Sequence, residues 1–138
     1  METIQFDSGV KEYRINGEGI LRLHPGDPNL YVRFQEAVEK IAQMEAKVRE
    51  DEGEDLLERM RDIDRQLKQL LSWVFGQEND FDALLGGVNL LAVTENGQRV
   101  ITNFLQALEP VLVEGAKRCA RQVTQAARDQ AKARKEAQ

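Results

Sequence analysis

The apolar residues between positions 56 and 74 fall at Leu56, Met60, Ile63, Leu67, Leu70 and Val74. Steps that alternate between four and three draw one stripe along one side of an α-helix. That stripe needs a cover, and the chain supplies one upstream. Leu30, Phe34, Ala37, Val38, Ile41, Met44 and Val48 mark the buried face of a helix running from Pro28 to about Glu50. Asp27 is placed to cap it, its carboxylate accepting first-turn N–H groups, and Pro28 suits the first helical position, where no N–H is needed. Between the two stripes, Arg49-Glu50-Asp51-Glu52-Gly53-Glu54-Asp55 carries no large apolar side chain. A loop there folds the two helices into an antiparallel hairpin, seam against seam. The alternative is one helix from Pro28 to Val74, which Gly53 disfavours by only about 1 kcal/mol but which leaves both stripes bare. The loop is therefore the expectation.

The flanking segments have different periods. Ile4 to Phe6, Glu12 to Ile15 and Gly19 to Leu23 have strand character, and the turn formers Asp7-Ser8-Gly9 and Asn16-Gly17 separate them. A ribbon of two or three antiparallel strands is expected, lying on the helices because a lone hairpin is marginal in water. Downstream, Gly76 ends the second helix by accepting a backbone conformation that side chains resist, and Asp80 to Gly87 reads as one or two helical turns stopped by a glycine pair. Apolar Val88, Leu90, Leu91 and Val93 mark the next stretch as a folded connection. The last long element starts near Asn96 or Gly97 and presents Val100, Ile101, Phe104, Leu105, Leu108, Val111 and Leu112 to the core. Pro110 should kink or break it, with a new helix starting there. Beyond Ala116 the apolar side dwindles to Ala116, Cys119, Ala120, Val123 and Ala127, so the end should fray or become ordered only on a partner. The expected fold is mainly α: a helical hairpin plus C-terminal helices with a small N-terminal antiparallel β-ribbon. Residues 1–115 form a single domain and residues 116–138 a basic, loosely anchored C-terminal helix.

Composition agrees with one ordered core. Hydrophobic residues make up 41% and charged residues 31% of 138, with 3 Pro and 10 Gly. No apolar run approaches the roughly 20 residues that cross a bilayer, and Met1-Glu2-Thr3-Ile4 lacks a basic segment ahead of an apolar one, so the cytoplasm is the expected compartment. The lone Cys119 cannot form an internal disulfide. Charge is unevenly spread. Seven cations against Asp129 give residues 117 to 135 a charge of +6, leaving −11 on the remainder of a chain whose net charge is −5.

Candidate chemistry is sparse. His24 has no Cys, His or carboxylate at ligand spacing and reads as a turn residue. Cys119 lies near Lys117, Arg118 and Arg121, cations that lower a thiol pKa, but without a second cysteine or a histidine it reads as a packed side chain. Gly86-Gly87 and Gly17-x-Gly19 lack the remaining residues of phosphate or dinucleotide loops. The acids Glu45, Glu50, Asp51, Glu52, Glu54 and Asp55 lack the ligand alternation of a calcium loop. No nucleophile, base and orienting group can be assembled, and no cofactor is expected. The basic tail has two readings. Its cations can neutralise phosphates, but no aromatic residue follows Phe104 to stack on bases, and the acidic remainder repels nucleic acid. A solvated helix face, or one docking through Arg118, Arg121, Val123, Arg128 and Lys132 on an acidic protein surface, with the acidic loop of a second copy as one candidate, is preferred.

Segment order adds a further expectation. A strand-rich start, Asp27-Pro28-Asn29-Leu30-Tyr31-Val32-Arg33-Phe34 opening a helical hairpin, Val74-Phe75-Gly76 with Leu84-Leu85-Gly86-Gly87, and Asn103-Phe104-Leu105-Gln106-Ala107-Leu108-Glu109-Pro110 leading into a charged tail form one series. Together they resemble the tail assembly chaperones of long-tailed phages and prophages of Gram-positive bacteria. The tail of this chain is richer in Arg and Ala than that pattern. The resemblance implies a helical, non-enzymatic protein that binds the tape measure protein, keeps its apolar surface from aggregating and leaves as tube subunits polymerise. In that family a longer product often arises by ribosomal frameshifting. The other readings are a phage structural or head–tail joining protein and a nucleic-acid-binding regulator using the basic helix. The expected partners are the tape measure protein or another phage tail protein, and further copies of the chain, with no membrane.

Overall fold

The computed structural model describes residues 1–50 and 55–137. Strands β1 (Lys11–Ile15) and β2 (Gly19–Leu23) form an antiparallel ribbon with Tyr13 opposite Leu21. Asn16 and Gly17 both take positive φ, 50° and 79°, which matches the turn to the right-handed twist of the strands. Leu21 and Leu23 point into the core while Ile20 and Arg22 face outward, the period of two expected of a ribbon lying on helices.

Ile4 to Phe6 do not join the ribbon. The Asp7 carboxylate accepts the Gly9 N–H at 2.8 Å, Gly9 sits at φ 81° against the His24 ring, and the chain before this turn pairs with nothing among the described residues. Ile4 and Phe6 are left exposed. Strand propensity alone does not make a strand.

Helix α1 (Pro28–Glu50) starts as expected, with the Asp27 carboxylate accepting the Asn29 N–H at 2.9 Å. Helix α2 (Leu56–Phe75) returns antiparallel to it. Arg33 Nε, near the start of α1, donates to the Val74 carbonyl at 3.0 Å, and Phe34 meets Phe75 with ring centroids 6.5 Å apart. At the other end, Met44 faces the same hollow as Asp55 and Ile63. The hairpin is present, and a single helix from Pro28 to Val74 is excluded. Gly53 and most of the expected connection lie outside the described residues.

The buried faces differ in detail from the periodic stripes. Val38 is 40% exposed, because α1 is covered by α2 on one side and only partly by the last helix on the other. On α2, Leu71 and Phe75 are buried alongside Ile63, Leu67 and Val74, because α2 packs against the short helix α3 (Phe81–Leu84) as well as against α1. The Asp80 side chain caps α3 by accepting the N–H groups of Asp82 and Ala83, and Gly86 and Gly87 stop the turn at φ 70° and 71°.

Helix α4 (Val100–Glu136) corrects two expectations. It begins at Val100 and not at Asn96 or Gly97, because the Asn96 carboxamide is used in a local turn. Its oxygen accepts the Gln98 N–H and the Thr94 hydroxyl, each at 2.8 Å, and Thr94 N–H bonds to the Gln98 carbonyl. Pro110 neither ends the helix nor starts a new one. Pro110 and Gln106 both lie on the exposed face, so the Gln106 carbonyl deprived of its N–H is open to water, while Phe104, Leu108 and Leu112 hold the opposite face in the core. The helix continues to Glu136, and every residue of it from Ala120 onward is exposed.

Two devices join these parts. Phe34, Phe75, Phe81 and Phe104 form a chain of tilted and edge-on rings linking α1, α2, α3 and α4. Asn79, the one buried polar residue among the described positions, fastens the outer edge of β2 to the end of α2. Its oxygen accepts the Arg22 N–H at 2.9 Å, and its amide donates to the carbonyls of Arg22 and Phe75, each at 3.0 Å.

Candidate functional site: an apolar groove and a free helix

Helices α1 and α4 run antiparallel. Glu45 near the end of α1 pairs with Arg99 at the start of α4 at 3.8 Å, and near its other end α4 passes the Pro25–Gly26 turn that precedes α1. Between these points the helices diverge enough to leave a groove of about 420 Å³ walled by Tyr31, Val38 and Ala42 on α1 and by Leu105, Gln106 and Val113 on α4. Phe34 and Ile41 floor it, and Glu45 and Glu109 are its acidic residues. An exposed, mostly apolar slot between two parallel ridges receives the apolar face of a third helix.

Past this groove α4 leaves the body. Gly115 is buried where the helix crosses the Pro25–Gly26 backbone, which comes so close that no side chain fits. From Ala120 to Glu136 the helix stands free, a length of about 25 Å at about 1.5 Å per residue. At about 100° per residue, Arg118, Arg121, Arg128 and Lys132 share one side of this segment. Val123 lies on the opposite side and is 65% exposed. The structure therefore brings the four cations together and separates Val123 from them. Arg121 bonds Glu114 on its own helix at 3.1 Å, an exposed pair of little energetic weight.

A second concavity, about 940 Å³, is lined mostly by polar side chains and lies along α2 and α3. Lys68 holds it together, donating to Asp82 at 2.6 Å and to Asp64 at 2.9 Å, while the second oxygen of Asp64 accepts the Leu90 N–H at 2.8 Å. Burial pushes the Lys68 ammonium down, but its hydrogen bonds to Asp82 and Asp64 and their charges outweigh this and hold its pKa above the ordinary lysine value. The cluster ties α2, α3 and the Leu90 loop to one another. Its only trace in the sequence is the spacing of Asp64 and Lys68 by one helical turn.

The remaining candidates are placed as local structure. His24 accepts the Gly26 N–H on Nδ1 at 3.1 Å in the turn before α1, and Cys119 is half-buried where α4 leaves the body. Glu45 serves the ion pair with Arg99, while Asp51, Glu52 and Glu54 lie outside the described residues. Among the described residues, no three of His, Cys, Asp or Glu are grouped to hold a metal ion, and no helix is long and apolar enough to cross a membrane. No family model, curated protein or solved structure matches this chain.

Proposed function

We propose that this protein is a non-enzymatic tail assembly chaperone of long-tailed phages or prophages of Gram-positive bacteria, which holds the tape measure protein until tube subunits replace it. The observation that carries the reading is the groove between α1 and α4. Its walls are apolar, with Val38 exposed and Tyr31, Leu105 and Val113 half-buried, beside a helix that projects from the body. A tape measure protein is a long amphipathic helix, and its apolar residues at i, i+3, i+4 and i+7 are the shape such a groove accepts. Shielding that face from other copies suppresses aggregation without any bond being made or broken.

The test is co-expression with the tape measure protein encoded in the same tail gene cluster. The expected result is soluble client that co-purifies with this chain, and loss of both solubility and co-purification with Val38→Glu. Client that stays insoluble, or that binds Val38→Glu as well as the parent, overturns the reading. Presence of this protein in purified mature virions favours a structural or head–tail joining role instead.

A further inference from the structure

We infer that, without a client, the groove between α1 and α4 is filled by the free end of α4 from a second copy, each copy donating its helix to the other. The first argument is continuity. Thr102, Gln106, Glu109 and Val113, which line the groove, are followed in strict steps of three and four by Ala116, Ala120, Val123 and Ala127. One stripe of heptad spacing thus runs from the groove onto the free helix, half-buried at Thr102, Val113 and Ala116 and exposed at Gln106, Glu109 and from Ala120 onward. Two α4 helices laid antiparallel about a twofold axis near Ala116 place the free half of each against the groove-lining half of the other, which is the closed, self-complementary arrangement of a symmetric dimer.

The second argument is length. The groove spans Tyr31 to Glu45 on α1, about 21 Å, and the bare seam with its flanks from Ala120 to Glu136 spans about 25 Å. The third is charge. Residues 117 to 135 carry +6 against −11 on the rest of the chain. The groove contains Glu45 and Glu109, and exposed Glu39 stands one helical turn from Gln35 and Ala42. Arg121, Arg128 and Lys132 lie on the side of the free helix away from the donated seam and Lys117 borders it, so the attraction is that of a basic tail for an acidic body and not of paired contacts within the groove, where Glu45 is already paired with Arg99. The free end cannot fill its own groove, because α4 is one uninterrupted helix that carries Ala120 to Glu136 past the Gly115 crossing and away from it. This self-association stands whatever the client is. A client helix entering the groove displaces the neighbouring copy's helix.

The test is the mass of the full chain in solution by light scattering, with folding followed by circular dichroism. The expected result is twice 15.7 kDa, weakened by salt. Val123→Glu alters a side chain that touches nothing within its own copy, so it leaves the fold intact and yields monomer. Val38→Glu and Glu109→Lys, in the groove, raise the dimer dissociation constant roughly tenfold or more. Mixing Val123→Glu with Val38→Glu restores a one-to-one complex, because one intact helix still finds one intact groove. A monomeric parent overturns the inference. So does a Val123→Glu variant that stays dimeric, or a parent-like dimer in both groove variants, the mark of free ends pairing only with each other. A change in mass with client capture intact, or the converse, separates this inference from the chaperone reading.

Discussion

Replacing Gly115 by Ala sets two effects of opposite sign against each other. In an unobstructed helix, Ala is more favourable than Gly by about 1 kcal/mol, so propensity alone demands a more stable protein. At Gly115 the added methyl overlaps the carbonyl oxygen of Pro25 and lies 2.5 Å from the Pro25 carbonyl carbon and 3.2 Å from the Gly26 nitrogen. Carbon atoms rest at about 3.5–4.0 Å, so α4 and the turn must separate by about 1 Å. The obstacle is backbone on both sides, held on one by proline's fixed φ, so no rotamer change relieves it. Overpacking of this kind costs about 1–3 kcal/mol. Separation also draws Leu108 and Leu112, both buried earlier on α4, away from the core. The net expectation is a loss of about 1–2 kcal/mol. Urea unfolding followed by circular dichroism and Trp73 fluorescence should show a lower midpoint at unchanged slope. Gln122→Ala, on the free part of the helix, should change stability by less than about 0.5 kcal/mol. If Gly115→Ala raises the midpoint, as it would at an open helix position, then α4 does not cross the Pro25–Gly26 turn as described.

Other side chains give equally direct tests. Asn79→Ala leaves the Arg22 N–H and the carbonyls of Arg22 and Phe75 without their partner and should cost about 3 kcal/mol in urea unfolding. Asn79→Asp should be worse at neutral than at acid pH, because its carboxylate faces those two carbonyls. Lys68→Gln should destabilise the protein at neutral pH. The folded-state pKa of Lys68 is raised, so its contribution is fully present below the ordinary lysine value of 10.5 and fades as pH climbs through the higher folded value; unfolding measured against pH should show parent and variant converging there. Pro110→Ala restores a backbone hydrogen bond inside α4 and should raise thermal stability by about 1–3 kcal/mol; an unchanged melting temperature would contradict the continuous helix.

Local rules were enough for much of this molecule. The period of the apolar residues and the chemistry of Asp27, Pro28, Asn16-Gly17 and Asp80 place α1, α2, the ribbon turn and α3, because caps and turns depend on neighbours a few residues away. Other features were not decided by neighbours alone. Ile4 to Phe6 have strand chemistry yet stay outside the ribbon. Pro110 is tolerated because its missing hydrogen bond falls on the wet side of a helix whose other side is pinned. The helix beyond Ala116 needs no distant contact, because it extends an already nucleated helix, which removes the cost of starting one.

The groove belongs to the second group. Val38 and Leu105 look like ordinary core positions in the sequence, since periodicity reports which side of a helix is apolar but not whether a neighbour covers it. Asn79, Gly115 and the link from Lys68 to Asp82 were likewise silent, because each owes its role to backbone or charge brought close only by folding. What the sequence determined alone is the helical hairpin and the short helix after it, their apolar sides and the charge imbalance between body and tail. Tertiary structure decided how far those sides close, and the distance between α1 and α4 is what leaves an open slot beside a free helix.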